Sequence, residues 1–195
     1  TVLSRTGAGL LDRQQAGEAE RVCREILDRD DSVPGALRQA AWILLAQIRF
    51  SLQDYGGAEQ AYREALAIGG LDAARRNAVS QAMATAIYRQ AEQQQAQGER
   101  AAASRSFLRA AESAPDSSMP PVALYDAAAS LLEEARWKEA AGVLQQFRAQ
   151  HPGHERQAEA TRKLAYAYAQ DGRNLDAAAE YKALAGVHDD DAVRR

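Results

Sequence analysis

The chain has 195 residues with 24 basic and 27 acidic side chains, a formal net charge of −3 and a sequence pI near 5.7. That balance gives no long-range pull toward nucleic acid, and the basic residues are scattered among acids rather than gathered on one stripe. No run of 18 or more apolar residues reads as a membrane-spanning helix, and the single cysteine, Cys23, has no partner for an internal disulfide.

Helical periodicity begins in the stretch from Leu10 to Asp30, where Ala19, Cys23 and Ile26 stand at i, i+4 and i+7. Cys23 occupies the large-residue position and is expected to be buried. Ser32 before Pro34 marks a joint. Trp42, Leu45, Ala46 and Arg49 form the next stripe, which ends near Gln53-Asp54-Tyr55, and Ala58, Tyr62 and Ala65 repeat the first pattern. After a second joint at Gly69-Gly70-Leu71-Asp72, the stretch Leu71 to Gln97 holds no proline and only strong or tolerable helix formers. One helix of about 25 residues, roughly 37 Å long at 1.5 Å per residue, is expected there. Ala103, Phe107 and Ala110 follow. Pro115-Asp116-Ser117-Ser118 then stops the chain and offers a capping hydroxyl, and Pro120-Pro121 falls in a first turn, where no backbone donor is needed. Leu124, Ala127, Ala128 and Leu131 lead to Ala135-Arg136-Trp137, and Ala140, Leu144 and Phe147 lead to the joint His151-Pro152-Gly153. Thr161, Leu164, Ala165 and Tyr168 precede Asp171-Gly172-Arg173, and Ala177, Tyr181 and Leu184 close the series.

The register alanines Ala19, Ala58, Ala103, Ala140 and Ala177 lie 39, 45, 37 and 37 residues apart. A stripe that recurs at such a period marks stacked helix pairs, and no run of alternating β-branched residues reads as a strand. The pattern resembles the tetratricopeptide repeat, a pair of antiparallel helices of about 34 residues, most clearly from Trp42 to Gly70. The resemblance implies an all-α, right-handed superhelical solenoid. It divides one domain, 1–195, into units of roughly 1–32, 33–70, 71–117, 118–153 and 154–188. The start at Thr1 and the half repeat that follows it are read as a piece of a longer array. Two units depart from the family pattern, with Gln90 and Gln94 in place of Leu and an aromatic, and with Arg49, beside Phe50, in place of an aromatic. Looser packing, or a neighbour covering those faces, is expected there.

Chemistry finds little support. His151 and His154 are three apart, but no further His or Cys completes a metal shell at a recognisable spacing. Glu133 and Glu134 are adjacent and point to different helical faces, which rules out joint acid and base work. There is no phosphate-cradling glycine loop and no Gly-x-Ser-x-Gly. No catalytic, cofactor or metal residue is assigned, and the chain is read as a non-enzyme.

The resemblance implies instead that the first helix of each pair lines a concave groove for another protein or peptide. In that register the lining is Ile43, Gln47 and Phe50, then Tyr88, Glu92 and Gln95, then Tyr125, Ala129 and Leu132, then Arg162, Tyr166 and Ala169. Each set follows i, i+4, i+7 and so shares a face. The chaperone-tail clamp of some family members needs Lys, Asn and Arg, but Ile43, Gln47, Arg89, Val122 and Asp126 stand at its positions. A partner held mainly by aromatic and amide contacts is expected, with no nucleic acid and no membrane insertion. The alternative is a structural spacer or self-association segment, giving a homo-oligomer. The 37-residue spacing and the connector from Phe147 to His154 resemble repeats of bacterial cell-envelope proteins, which implies a periplasmic or envelope location, with the cytoplasm as the alternative.

Overall fold

The computed structural model describes the backbone of residues 2–29 and 33–193, and side chains from 15 to 29 and from 33 to 185. The joint expected at Ser32 lies outside the described residues. Nine helices occur among the described residues: α1 (Val2–Leu27), α2 (Gly35–Ser51), α3 (Tyr55–Ala67), α4 (Ala73–Ala96), α5 (Arg100–Ser113), α6 (Met119–Glu133), α7 (Trp137–Gln150), α8 (Gln157–Gln170) and α9 (Asn174–Val193). The all-α, tetratricopeptide-like repeat organisation is what the structure shows. The unbroken α4 of 24 residues occupies the stretch where proline is missing.

Four turns share one backbone design, and it is this design that reverses the chain within each pair. At the end of α2, α4, α6 and α8, one residue takes a left-handed conformation: Gln53 at φ 63°, Gly98 at 79°, Ala135 at 57° and Gly172 at 77°. The amide of the residue after it donates back to a carbonyl five positions earlier: Asp54 to Arg49 at 2.9 Å, Glu99 to Gln94 at 2.8 Å, Arg136 to Leu131 at 3.0 Å and Arg173 to Tyr168 at 2.8 Å. These bonds satisfy helix-terminal carbonyls in the Schellman manner. Next, the register alanine donates its N–H to the carbonyl of the residue just before the second helix. The pairs are Ala58 with Asp54, Ala103 with Glu99, Ala140 with Arg136 and Ala177 with Arg173, all within 2.9 to 3.0 Å. The alanine is thus fixed at the start of each second helix, where Ala58, Ala103 and Ala140 are fully buried and a larger side chain would hold the two helices apart.

Two of the four left-handed positions lack glycine, although the conformation costs an L-residue with a Cβ roughly 1–2 kcal/mol. Ala135 is exposed, so its methyl group adds little to the core. Ala135→Gly is therefore expected to stabilise the chain by about 0.5–1 kcal/mol after the entropy cost of glycine in the unfolded state. An upward shift of the urea midpoint with unchanged slope checks it.

The chain separates into two compact units, 1–89 and 90–195, with the boundary inside α4. In the first unit the core gathers Cys23, Leu45, Ala46, Ile48, Ala58, Ala61, Tyr62, Val79 and Ala86. Cys23 is 1% exposed, as its register position implied, and burial followed by the nearby Glu20 carboxylate raises its thiol pKa, which leaves a packing role rather than a reactive one. Arg49 occupies an aromatic position but fastens three elements. Its guanidinium lies 3.5 Å from Glu20 on α1, 3.9 Å from Asp54 and 3.3 Å from the Gly57 carbonyl on α3. Asp54 also caps α3 by accepting from Gly57 N at 2.9 Å.

In the second unit the core is built from Phe107, Leu124, Leu131, Leu144, Phe147, Leu164 and Tyr168, each at most 4% exposed. At Gln90 and Gln94, where looser packing or a covering neighbour is expected, hydrogen bonds from α5 meet the amides. Ser106 donates to Gln94 at 2.8 Å, and Arg109 donates to Gln90 at 3.2 Å, so both amides bind α5. The capping hydroxyl expected before α6 belongs to Ser117, which accepts from Met119 N at 3.1 Å and donates to the Ala114 carbonyl at 2.7 Å. Ser118 makes no side-chain cap.

Candidate protein-binding surfaces

Residues expected on the lining meet in two hollows among the described residues, one in each unit. In the first unit Ile43 and Gln47 on α2, Tyr62 on α3, and Leu71, Arg75, Ala78, Val79 and Ala82 at and after the start of α4 enclose about 220 Å³. Ile43 is half-buried and Gln47 exposed. Phe50, expected beside them on the lining, packs edge-on against Tyr55 at 5.3 Å and closes the α2–α3 turn instead. Arg75 is tied to Asp72, whose carboxylate accepts from Arg75 N at 2.8 Å and lies 3.7 Å from its guanidinium. Arg75 therefore serves the start of α4. Farther along α4, Tyr88 and Glu92 are half-buried and Gln95 is exposed.

In the second unit Ala129, Leu132 and Glu133 on α6 face Arg162, Lys163 and Tyr166 on α8 across a hollow of about 400 Å³. Four of the residues expected on the lining meet here: Ala129, Leu132, Arg162 and Tyr166. Tyr166 is 46% exposed, yet its ring is held by the edge of Trp137 at 5.7 Å and 89°. An exposed aromatic fixed from behind loses little freedom on contact, which suits it to recognition. Glu133 faces Arg100 at 2.7 Å, with both side chains about half exposed.

Tyr125 corrects the expected lining. It is only 6% exposed, because Arg156, from the joint after α7, lies 4.8 Å over its ring and Lys163 lies 5.4 Å from it. Phe147 meets it edge-on at 6.0 Å. Its hydroxyl is buried, and burial first, then the neighbouring Glu159 carboxylate, raises its pKa. Tyr125 is thus a packing residue whose face anchors two cations, and the accessible aromatic is Tyr166 alone of the pair. Lys163, Glu133 and Trp137 were missed in the sequence. Glu133 could have been found four residues after Ala129, on the same face.

The two histidines do not share a helix face as their spacing allowed. Both lie in the joint between α7 and α8 and pack on Phe147, with ring centroids at 5.8 Å for His151 and 5.2 Å for His154. Burial, and then the charge of His154, pushes the His151 pKa below its ordinary 6.5. No group of three or more His, Cys, Asp or Glu among the described residues could hold a metal ion, and no helix among them is long and apolar enough to cross a membrane.

Residues 122–154, which run from the first turns of α6 through α7 to the following joint, match the family model for the tetratricopeptide repeat. No curated protein matches the chain. Among solved structures, MamA is similar over 92% of this chain and 92% of its own, at 14% identity and a TM-score of 0.47. YrrB, described as a TPR protein with an unusual peptide-binding site, is similar over 94% and 84%, at 19% identity and 0.41. BtubC from P. vanneervenii is similar over 90% and 75%, at 17% identity and 0.48.

Proposed function

We propose that the chain is a non-catalytic protein-interaction module that holds a peptide or partner helix in the hollow between α6 and α8. The observation that carries this reading is the convergence of Leu132, Ala129 and the exposed Tyr166, whose ring is held by Trp137, around an open hollow of about 400 Å³. A fixed aromatic beside an aliphatic wall supplies an anchor, and the charged residues at its margin supply orientation. The cell-envelope setting remains an expectation drawn from repeat spacing, apart from this proposal.

The test is selection of displayed random peptides on the immobilised chain, followed by affinity measurement against wild type and a Leu132→Ala, Tyr166→Ala variant matched for helicity. Selected peptides should lose about tenfold or more in affinity for the variant, equivalent to roughly 1.4 kcal/mol. Unchanged affinity would place the binding surface elsewhere and overturn the proposal.

A further inference from the structure

The charges around the α6–α8 hollow run against the charge of the chain as a whole. Arg162 and Lys163 line it from α8 and Glu133 lines it from α6. Arg162 is exposed and has no carboxylate partner among the described residues, and Lys163 has none either, its ammonium lying instead against the Tyr125 ring. The carboxylate that lines the hollow with them is already engaged, since Glu133 accepts from Arg100 Nε at 2.7 Å. Arg100 brings a third cation to the edge of the site. The lining itself carries two cations, Arg162 and Lys163, against one engaged carboxylate, with Glu159 one helical turn before them on α8, in a chain whose net charge is −3.

We propose that the occupant is an acidic peptide segment, with an aliphatic or aromatic anchor seated between Leu132, Ala129 and Tyr166 and an adjacent Asp or Glu carboxylate on Arg162 and Lys163. The proposal rests on the peptide-binding reading above and adds the chemistry of the ligand. Arg162 suits the carboxylate best, because its planar fork is unspent and can donate two parallel hydrogen bonds. Lys163 contributes as a point charge, held in place by the ring beneath it.

Charge also separates a peptide from a long polyanion. Screening over about 8 Å at physiological ionic strength lets a short segment feel mainly the local cations. A nucleic acid strand extends beyond that distance, must neutralise many phosphates, and meets the net negative charge of the rest of the chain.

The test uses the full chain and short fluorescent peptides of equal length that share the same leucine anchors and carry Glu, Gln or Lys beside them. The Glu series should bind about tenfold more tightly than the Gln series at low salt, with the gap narrowing as salt rises. Arg162→Glu, at an exposed position, should reverse the order of the Glu and Lys series. Equal binding of all three, or preference for Lys, would overturn the acidic ligand and leave the peptide-binding reading standing. Failure of every series to bind, with peptides selected at random still held, would overturn the acidic ligand in the same way. Failure of both kinds would overturn both readings. A single-stranded oligonucleotide that competes as well as the Glu peptide would overturn the peptide assignment.

Discussion

Replacing Phe147 by alanine is expected to destabilise the second unit by about 3–5 kcal/mol, a large share of the total stability of a domain. Phe147 is fully buried, and its ring touches Tyr125, His151 and His154 together. It therefore ties the body of α6 to the joint that leads into α8, and so to the two helices that form the hollow. Phe147→Leu should cost no more than about 1.5 kcal/mol, because most of the volume is kept. Urea unfolding of the two variants checks the magnitudes. A second readout separates packing from a general loss of order. The His151 pKa is held down chiefly by burial, so opening the Phe147 site to water should raise it toward 6.5 in a proton NMR titration of the alanine variant. In the native chain the depressed pKa adds stability above pH 6.5 that is lost as pH falls through the folded value, and this acid sensitivity should shrink in the variant.

Gln39→Leu should cost about 1–3 kcal/mol although leucine fits the same volume. Gln39 on α2 is 6% exposed and donates its amide to the Ala65 carbonyl at 2.8 Å and the Gly69 carbonyl at 3.0 Å, at the end of α3. Removing the donor leaves helix-terminal carbonyls buried without that partner. Gln39→Glu should be worse near neutral pH, where a carboxylate would face two carbonyl oxygens. Its disadvantage should fall as pH drops and the carboxyl gains a proton to donate. Denaturant midpoints for both variants across pH test this, and a Leu variant as stable as wild type would show that the amide contributes only packing. The same device recurs in the second unit, where Gln157 at the start of α8 donates to the Arg148 carbonyl at 3.0 Å and the His151 carbonyl at 3.3 Å.

Such amides explain where the sequence was legible and where it was not. The alanine followed by large and apolar residues at i+4 and i+7 is a packing pattern, and packing patterns are local, so the helices and their buried faces could be read directly. The last pair marks the edge of that rule. Ala177 is 4% exposed, yet Tyr181 at the large-residue position is 49% exposed, because burial there depends on a neighbouring helix as well as on the pattern. Gly98 and Gly172 advertised their left-handed turns, whereas Gln53 and Ala135 adopt the same conformation without glycine and gave no sign. Gln39 and Gln157 carry no mark in the helical pattern, since nothing in a helical period says that an amide will meet the end of another helix.

The candidate site divides along the same line. Tyr125 stands at the first position of its lining set and Tyr166 at the middle position of the next, and both read as lining. Which of them stays open is decided by Arg156, which comes from a joint and covers Tyr125, and by Trp137, which props Tyr166 from its edge. Neither contact follows from helical spacing. The balance of charge was equally hidden. The lining read from the sequence held one arginine, Arg162, and one glutamate, Glu92, whereas the structure adds Lys163 and Glu133 to the hollow and pairs Glu133 with Arg100.

The measurement that meets the central claim most directly is a methyl NMR titration of the full chain with a peptide selected on it. Binding in the α6–α8 hollow predicts that the Ala129 and Leu132 methyl signals move together and saturate at the affinity measured by fluorescence, while Leu175, 89% exposed on α9, stays still. Movement at Leu175 with Ala129 and Leu132 unchanged would contradict it.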